Sequence, residues 1–301
     1  MGATTNMDAF WAAWPLFEDA VLTGVVSGML LGVLGVYIVL GRMVFLSAAL
    51  SQMAGFGVTL AYAAQAHLGV AAFYASPTLG ATIMTLLSLG MIWRNDEQQR
   101  ARRDSMLGII FLVGAAGTLM VASKIVQELH DVKSLLFGSS VAVLPEDFRL
   151  VALVAAGILF CHLWWWRGCV EVIYDEETAI VRGLPVSIIK LMTILTIALA
   201  VSICTRVMGA LPTFAFSVFP AMSAIAISRN IPWAMFAATI VGASTGFLGY
   251  LMAFRYDFPV GPSQAMVGLF IWCACVLCAR LLRLVSTRSM RSKNNTMTAK
   301  D

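Results

Sequence analysis

Charge is scarce in this chain. Asp, Glu, Lys and Arg make up only 12% of 301 residues, about half the share usual in a soluble domain. Not one of them occurs among the 51 residues between Arg42 and Arg94. The first 19 residues hold Asp8, Glu18 and Asp19 but no Lys or Arg, which excludes the basic n-region of a cleavable signal peptide. No Gly-Lys dipeptide exists, so the chain carries no nucleotide-binding P-loop. The three histidines, His67, His130 and His162, form no local motif. Acidic residues are expected only in loops and at span ends. That argues against a proton-driven carrier with buried carboxylates, and against an intramembrane aspartyl or metal-dependent enzyme.

Apolar residues fill the space that charge leaves. The chain is 60% hydrophobic with a mean hydropathy of +0.86, more than one soluble core can bury. As a single helix, the charge-free stretch would run roughly 77 Å at 1.5 Å per residue, against a hydrocarbon core of about 30 Å. It must turn back, near 67–77. Charge-free windows predict about nine membrane spans, within a range of eight to ten. They fall at 20–40, 44–65, 70–93, 105–126, 149–166, 188–205, 209–228, 232–253 and 262–282. Spans of this length are helices, because backbone groups in lipid must be satisfied within the segment. The fold class is therefore an all-α polytopic membrane protein.

Basic residues give the expected orientation. With the N-terminus outside, 15 of the 20 lysines and arginines fall on the inner side, so the bias favours N-out/C-in. Residues 1–19 then form an extracytoplasmic segment, 20–285 the membrane domain, and 286–301 a disordered basic cytoplasmic tail beside anionic lipid. The net charge of +4 reflects this bias and implies no nucleic-acid partner. The six cysteines (Cys161, Cys169, Cys204, Cys273, Cys275, Cys278) read as small packing residues, not as disulfides or metal ligands. Gly24, Gly28 and Gly32, with Gly242, Gly246 and Gly249, recur at the spacing that lets helix backbones approach closely.

The longest inner connector runs from Arg167 to Lys190. Its core, Asp175-Glu176-Glu177-Thr178-Ala179-Ile180-Val181-Arg182-Gly183, is predicted to form a short helix. Acidic residues at its start complement the helix dipole, and Gly183 followed by Pro185 ends it. The pattern Asp-x-Glu-x-Ala-x-x-x-Gly resembles the loop of the zinc/manganese/iron type of ABC transporter permeases, relatives of the siderophore and vitamin B12 importers. Three further stretches are similar to that family: Asp131–Val143 (DVKSLLFGSSVAV), Val207–Ala226 with Pro220-Ala221, and Asp257-Phe258-Pro259-Val260-Gly261. The matches run in order over Gly24 to Val267.

The stretch FLSAALSQMAGFGVTLA, Phe45 to Ala61, also matches, but it departs at two positions. Where the family carries an Asp and a His taken as midplane metal ligands, this chain has Ala48 and Gln52. An alanine and an amide do not suit a divalent ion as a carboxylate and an imidazole do. The resemblance implies a permease subunit of a bacterial ABC importer in the plasma membrane, not itself an enzyme and with no cofactor of its own. ATP would be bound by separate ATPase subunits. An extracytoplasmic binding protein and a second permease copy would complete the assembly. It also implies coupling through Asp175, Glu177, Ala179 and Gly183 within a loop at 167–187, and a translocation path along Ser47, Ala48, Ser51 and Gln52. The metal ligands stay unknown, and the cargo is a divalent metal ion or a metal chelate. The alternative is a carrier of a small polar solute that works without ATP.

Overall fold

A computed structural model describes residues 3–68, 76–93, 100–125 and 143–297. The resemblance segment Asp131–Val143 lies almost wholly outside them. The described chain forms ten α-helices: α1 (Ala3–Leu40), α2 (Val44–Leu68), α3 (Pro77–Trp93), α4 (Arg100–Ala122), α5 (Pro145–Tyr174), α6 (Glu176–Val181), α7 (Val186–Met208), α8 (Ala210–Ile227), α9 (Ile231–Tyr256) and α10 (Val260–Met297). Eight of them are long and apolar enough to cross a membrane, and the apolar part of α3, Pro77–Ile92, is shorter. The charge-free windows thus map onto helices one for one, and α6 is the additional short element.

Three boundaries differ from expectation. α1 is already helical at Ala3, because Phe10 and Phe17 pack on Tyr250 and Phe254 of α9. Counting back about 30 Å from Leu40 at 1.5 Å per residue reaches Val21, which leaves Glu18 and Asp19 at the rim of the span. α5 continues to Tyr174, well into the segment expected to be a connector, but it is broken at Trp165 (φ −114°, ψ 18°). The expected end of that span, near residue 166, is therefore a kink and not a terminus. At the far end, α10 stays helical to Met297, through most of the segment expected to be a disordered tail.

α1 and α2 form the centre. α1 packs on α9, α8 and α5, while α2 packs on α4, α3, α7 and α8. The main core joins Leu30, Leu34, Tyr37 and Ile38 of α1 to Leu46, Leu50 and Met53 of α2 and to Ile197 and Val201 of α7. Glycine sets the α1–α9 distance. A Cβ built on Gly28 would overlap the carbonyl of Gly242, and one on Gly242 would overlap the carbonyl of Gly28. In lipid, where apolar burial gives no net drive, such close backbone contact is what holds two helices together. Gln264 of α10, fully buried, fills the same seam. It backs onto Gly249 and donates from Nε2 to the Gly246 carbonyl at 3.4 Å.

Candidate coupling and translocation site

α6 is short and firmly held. Asp175 precedes it as N-cap, accepting from the Thr178 amide at 3.1 Å and from the Thr178 hydroxyl at 2.6 Å. These bonds, the Thr178 side chain first, hold the Asp175 carboxyl below the ordinary aspartate range. Depression of that kind favours the charged cap. The cap is in place above the usual aspartate pKa and is lost as pH falls through the lowered folded-state value. Asp175→Ala is expected to speed hydrogen exchange at the Thr178 amide. In the wild type, protection at that amide should fade only under acid conditions.

The far end of α6 closes with two reversed bonds. Gly183 N–H donates to the Ile180 carbonyl at 2.9 Å, and Leu184 N–H to the Ala179 carbonyl at 3.1 Å. This geometry needs a left-handed residue, and Gly183 supplies it at φ +76° with open space around it. Ala179 is fully buried in the main core beneath α6, while Glu177 faces outward. The four expected coupling residues therefore split by role. Asp175 and Gly183 shape the helix, Ala179 seats it, and Glu177 is presented.

Two ion pairs tie α6 to its neighbours. Arg182 meets Glu171 at the base of α5 at 2.7 Å, and Lys190 of α7 meets Glu176 at 3.4 Å. Neither pair is legible in sequence, because the partners are 11 and 14 residues apart with a turn between them. Beside α6 lies a cavity of about 440 Å³, lined by Arg42, Asp104, Glu176 and Lys190 over Met43, Leu46 and Ile194.

The expected path residues are placed less uniformly. Ser47 and Ser51 are completely buried. The Ser47 hydroxyl lies 2.5 Å from that of Ser217 on α8, and Ser51 donates back to the Ala48 carbonyl at 2.9 Å. Within one chain, then, Ser47 joins α2 to α8, whereas the Ser51 hydroxyl bonds only within α2. Ala48 is also buried. Gln52 is half-buried. Gly114 of α4 presses on the backbone at this point, since a Cβ there would lie 2.7 Å from the Gln52 carbonyl carbon.

One polar cluster had no sequence motif to mark it. His162 Nε2 pairs with Thr196 Oγ1 at 2.8 Å, and its ring lies 5.0 Å from that of Tyr37. The only hint was a lone imidazole in an apolar run. Among the described residues no group of three or more His, Cys, Asp or Glu is placed to hold a metal ion.

A bundle with eight helices long and apolar enough to cross a membrane, and a short capped helix seated at one end, has the architecture of a helical, polytopic membrane protein. Residues 13–279 match the model of the ABC 3 transport family. The chain belongs to that family. It is 25% identical to the high-affinity zinc uptake system membrane protein ZnuB of Haemophilus influenzae, over 84% of this chain and 94% of that one. It is 23% identical to the manganese transport system membrane protein MntC of Halalkalibacterium halodurans, over 85% of this chain and 84% of that one. Its fold resembles that of PsaBC from Streptococcus pneumoniae, solved in complex with Fab. The TM-score is 0.77 at 21% identity, over 89% of this chain and 95% of the other.

Proposed function

We propose that this chain is the membrane-spanning permease subunit of a bacterial ABC importer of a divalent metal ion or metal chelate, driven by separate ATPase subunits. The observation that carries the reading is α6. It is the one short helix at its end of the bundle among the described residues, capped at both ends, seated on Ala179, and it presents Glu177 outward. Motion of an ATPase docked on α6 passes through the Arg182–Glu171 bond to the base of α5. In this reading the end bearing α6 is cytoplasmic, giving N-out/C-in as the basic residues favour. A second permease copy completes the path, and an extracytoplasmic binding protein delivers cargo.

The cargo reading rests on the relatives, two of which are named for zinc and manganese transport. Gln52 offers an uncharged acceptor and two donors, not a metal ligand set. It therefore suits a chelate, or an ion passing with part of its hydration. The ATP-independent carrier draws no support from the spans, whose acidic residues lie at their ends.

The deciding experiment reconstitutes the chain with its ATPase subunit and binding protein in liposomes. Glu177→Lys reverses an exposed charge on α6 and is expected to cut cargo-stimulated ATP hydrolysis roughly tenfold, while membrane insertion and thermal stability stay unchanged. Wild-type stimulation in that variant would remove α6 as the coupling element.

A further inference from the structure

Two helix ends on the same side of the bundle close with the same pair of reversed hydrogen bonds. At the end of α6 the left-handed residue is Gly183. At the end of α1, Arg42 N–H donates to the Val39 carbonyl at 3.1 Å and Met43 N–H to the Ile38 carbonyl at 2.8 Å. There the left-handed residue, at φ +53°, is Arg42. Glycine takes this conformation without penalty and an L-side chain is strained in it. A strained residue kept where glycine would serve points to a use for its side chain.

The surroundings indicate what that use is. Gly41 is wedged against Ile173 at the base of α5, and Met43 is buried in the main core, so the turn is fixed beside α6. Arg42 is exposed and lines the 440 Å³ cavity that α6 borders through Glu176. Glu176 is engaged by Lys190. Arg42 makes no ion pair among the described residues, although Asp104 lines the same cavity.

Resting on the permease reading above, we propose that this cavity is a second docking point for the ATPase subunit, which inserts an acidic side chain against Arg42. The guanidinium offers a planar fork of donors that matches a carboxylate. Asp104 accepts from a donor group on the same inserted segment. The ATPase thus grips the permease on α6 and on the α1–α2 turn together.

The test measures the affinity of the ATPase subunit for the full-length chain in nanodiscs, over a range of salt, for wild type, Arg42→Gly, Arg42→Lys and Glu177→Lys. Arg42→Gly relieves the backbone strain, so its melting temperature is expected to match or exceed that of wild type. Its ATPase affinity should nevertheless fall roughly tenfold, with a shallower salt dependence. Arg42→Lys keeps the charge and should lie between. A purely structural role for Arg42 cannot produce a chain that is more stable yet binds more weakly and with less salt sensitivity. If Arg42→Gly binds with wild-type affinity and salt slope while Glu177→Lys is weakened, this second docking point is wrong and the permease reading stands. The second docking point is equally wrong if Arg42→Gly loses only affinity for anionic lipid. If neither variant weakens binding, neither Arg42 nor Glu177 is an ATPase contact, and the second docking point falls together with the coupling role of α6.

Discussion

Gly242→Val is expected to abolish the folded protein. Gly242 faces Gly28 across the α1–α9 contact so closely that a Cβ on either would overlap the other's carbonyl oxygen. The atoms in the way are backbone, so no rotamer change can make room. Relief requires the two helices to separate, and separation breaks the neighbouring contacts at Gly24–Gly246 and Gly32–Ala238. Overpacking in a well-packed interior costs about 1–3 kcal/mol and more when backbone must shift, and each 1.4 kcal/mol is about a tenfold change in the folded-to-unfolded ratio. Gly157→Ala is the control. That glycine lies mid-α5 with nothing within 4 Å of a built Cβ, so alanine there is expected to stabilise the helix by up to about 1 kcal/mol. Thermal unfolding followed by size-exclusion chromatography separates the two. Similar melting temperatures for both variants would mean that the α1–α9 seam is not close-packed.

Ala179→Leu is expected to uncouple transport while leaving the bundle intact. Ala179 is completely buried between α6 and the main core. Three further carbons at that point force α6 outward, at a cost of about 1–3 kcal/mol. α6 has only six residues, so it yields more easily than the long helices beneath it. Gly183→Val should act in the same direction by another route. The space around Gly183 is open, but its φ of +76° strains any branched side chain, so the cap opens and Pro185 enters α7 differently. For both variants, transport per ATP in the reconstituted system should fall roughly tenfold or more, while expression and melting temperature stay near wild type. Retention of full transport by Ala179→Leu would show that the position of α6 does not matter.

The helix inventory was legible because charge-free windows and membrane thickness constrain it directly. α6 was legible for a different reason: Asp175, Gly183 and Pro185 are local capping signals, and caps act within a single turn. The pairings across the bundle were not legible. Ser47 was expected beside a path, and it bonds Ser217, 170 residues away. A hydroxyl in an apolar run has the same appearance whether it meets cargo or another helix, and only three-dimensional packing tells the two apart. The break at Trp165 was equally hidden, since no proline lies near it, and an apolar window ending near residue 166 looks the same for a kink as for a terminus. Arg42 reads in sequence only as an inner-side charge, because its left-handed backbone depends on how α1 meets α2.

The contact between α1 and α9 has a mechanical corollary. A junction made of carbonyls and α-carbons has no side chains to re-sort, so it offers no intermediate positions and holds its two rods as one girder. Any alternation between outward and inward openings must then be taken up elsewhere, and among the described helices α5 already contains the break at Trp165 and is joined to α6 through the single non-helical residue Asp175.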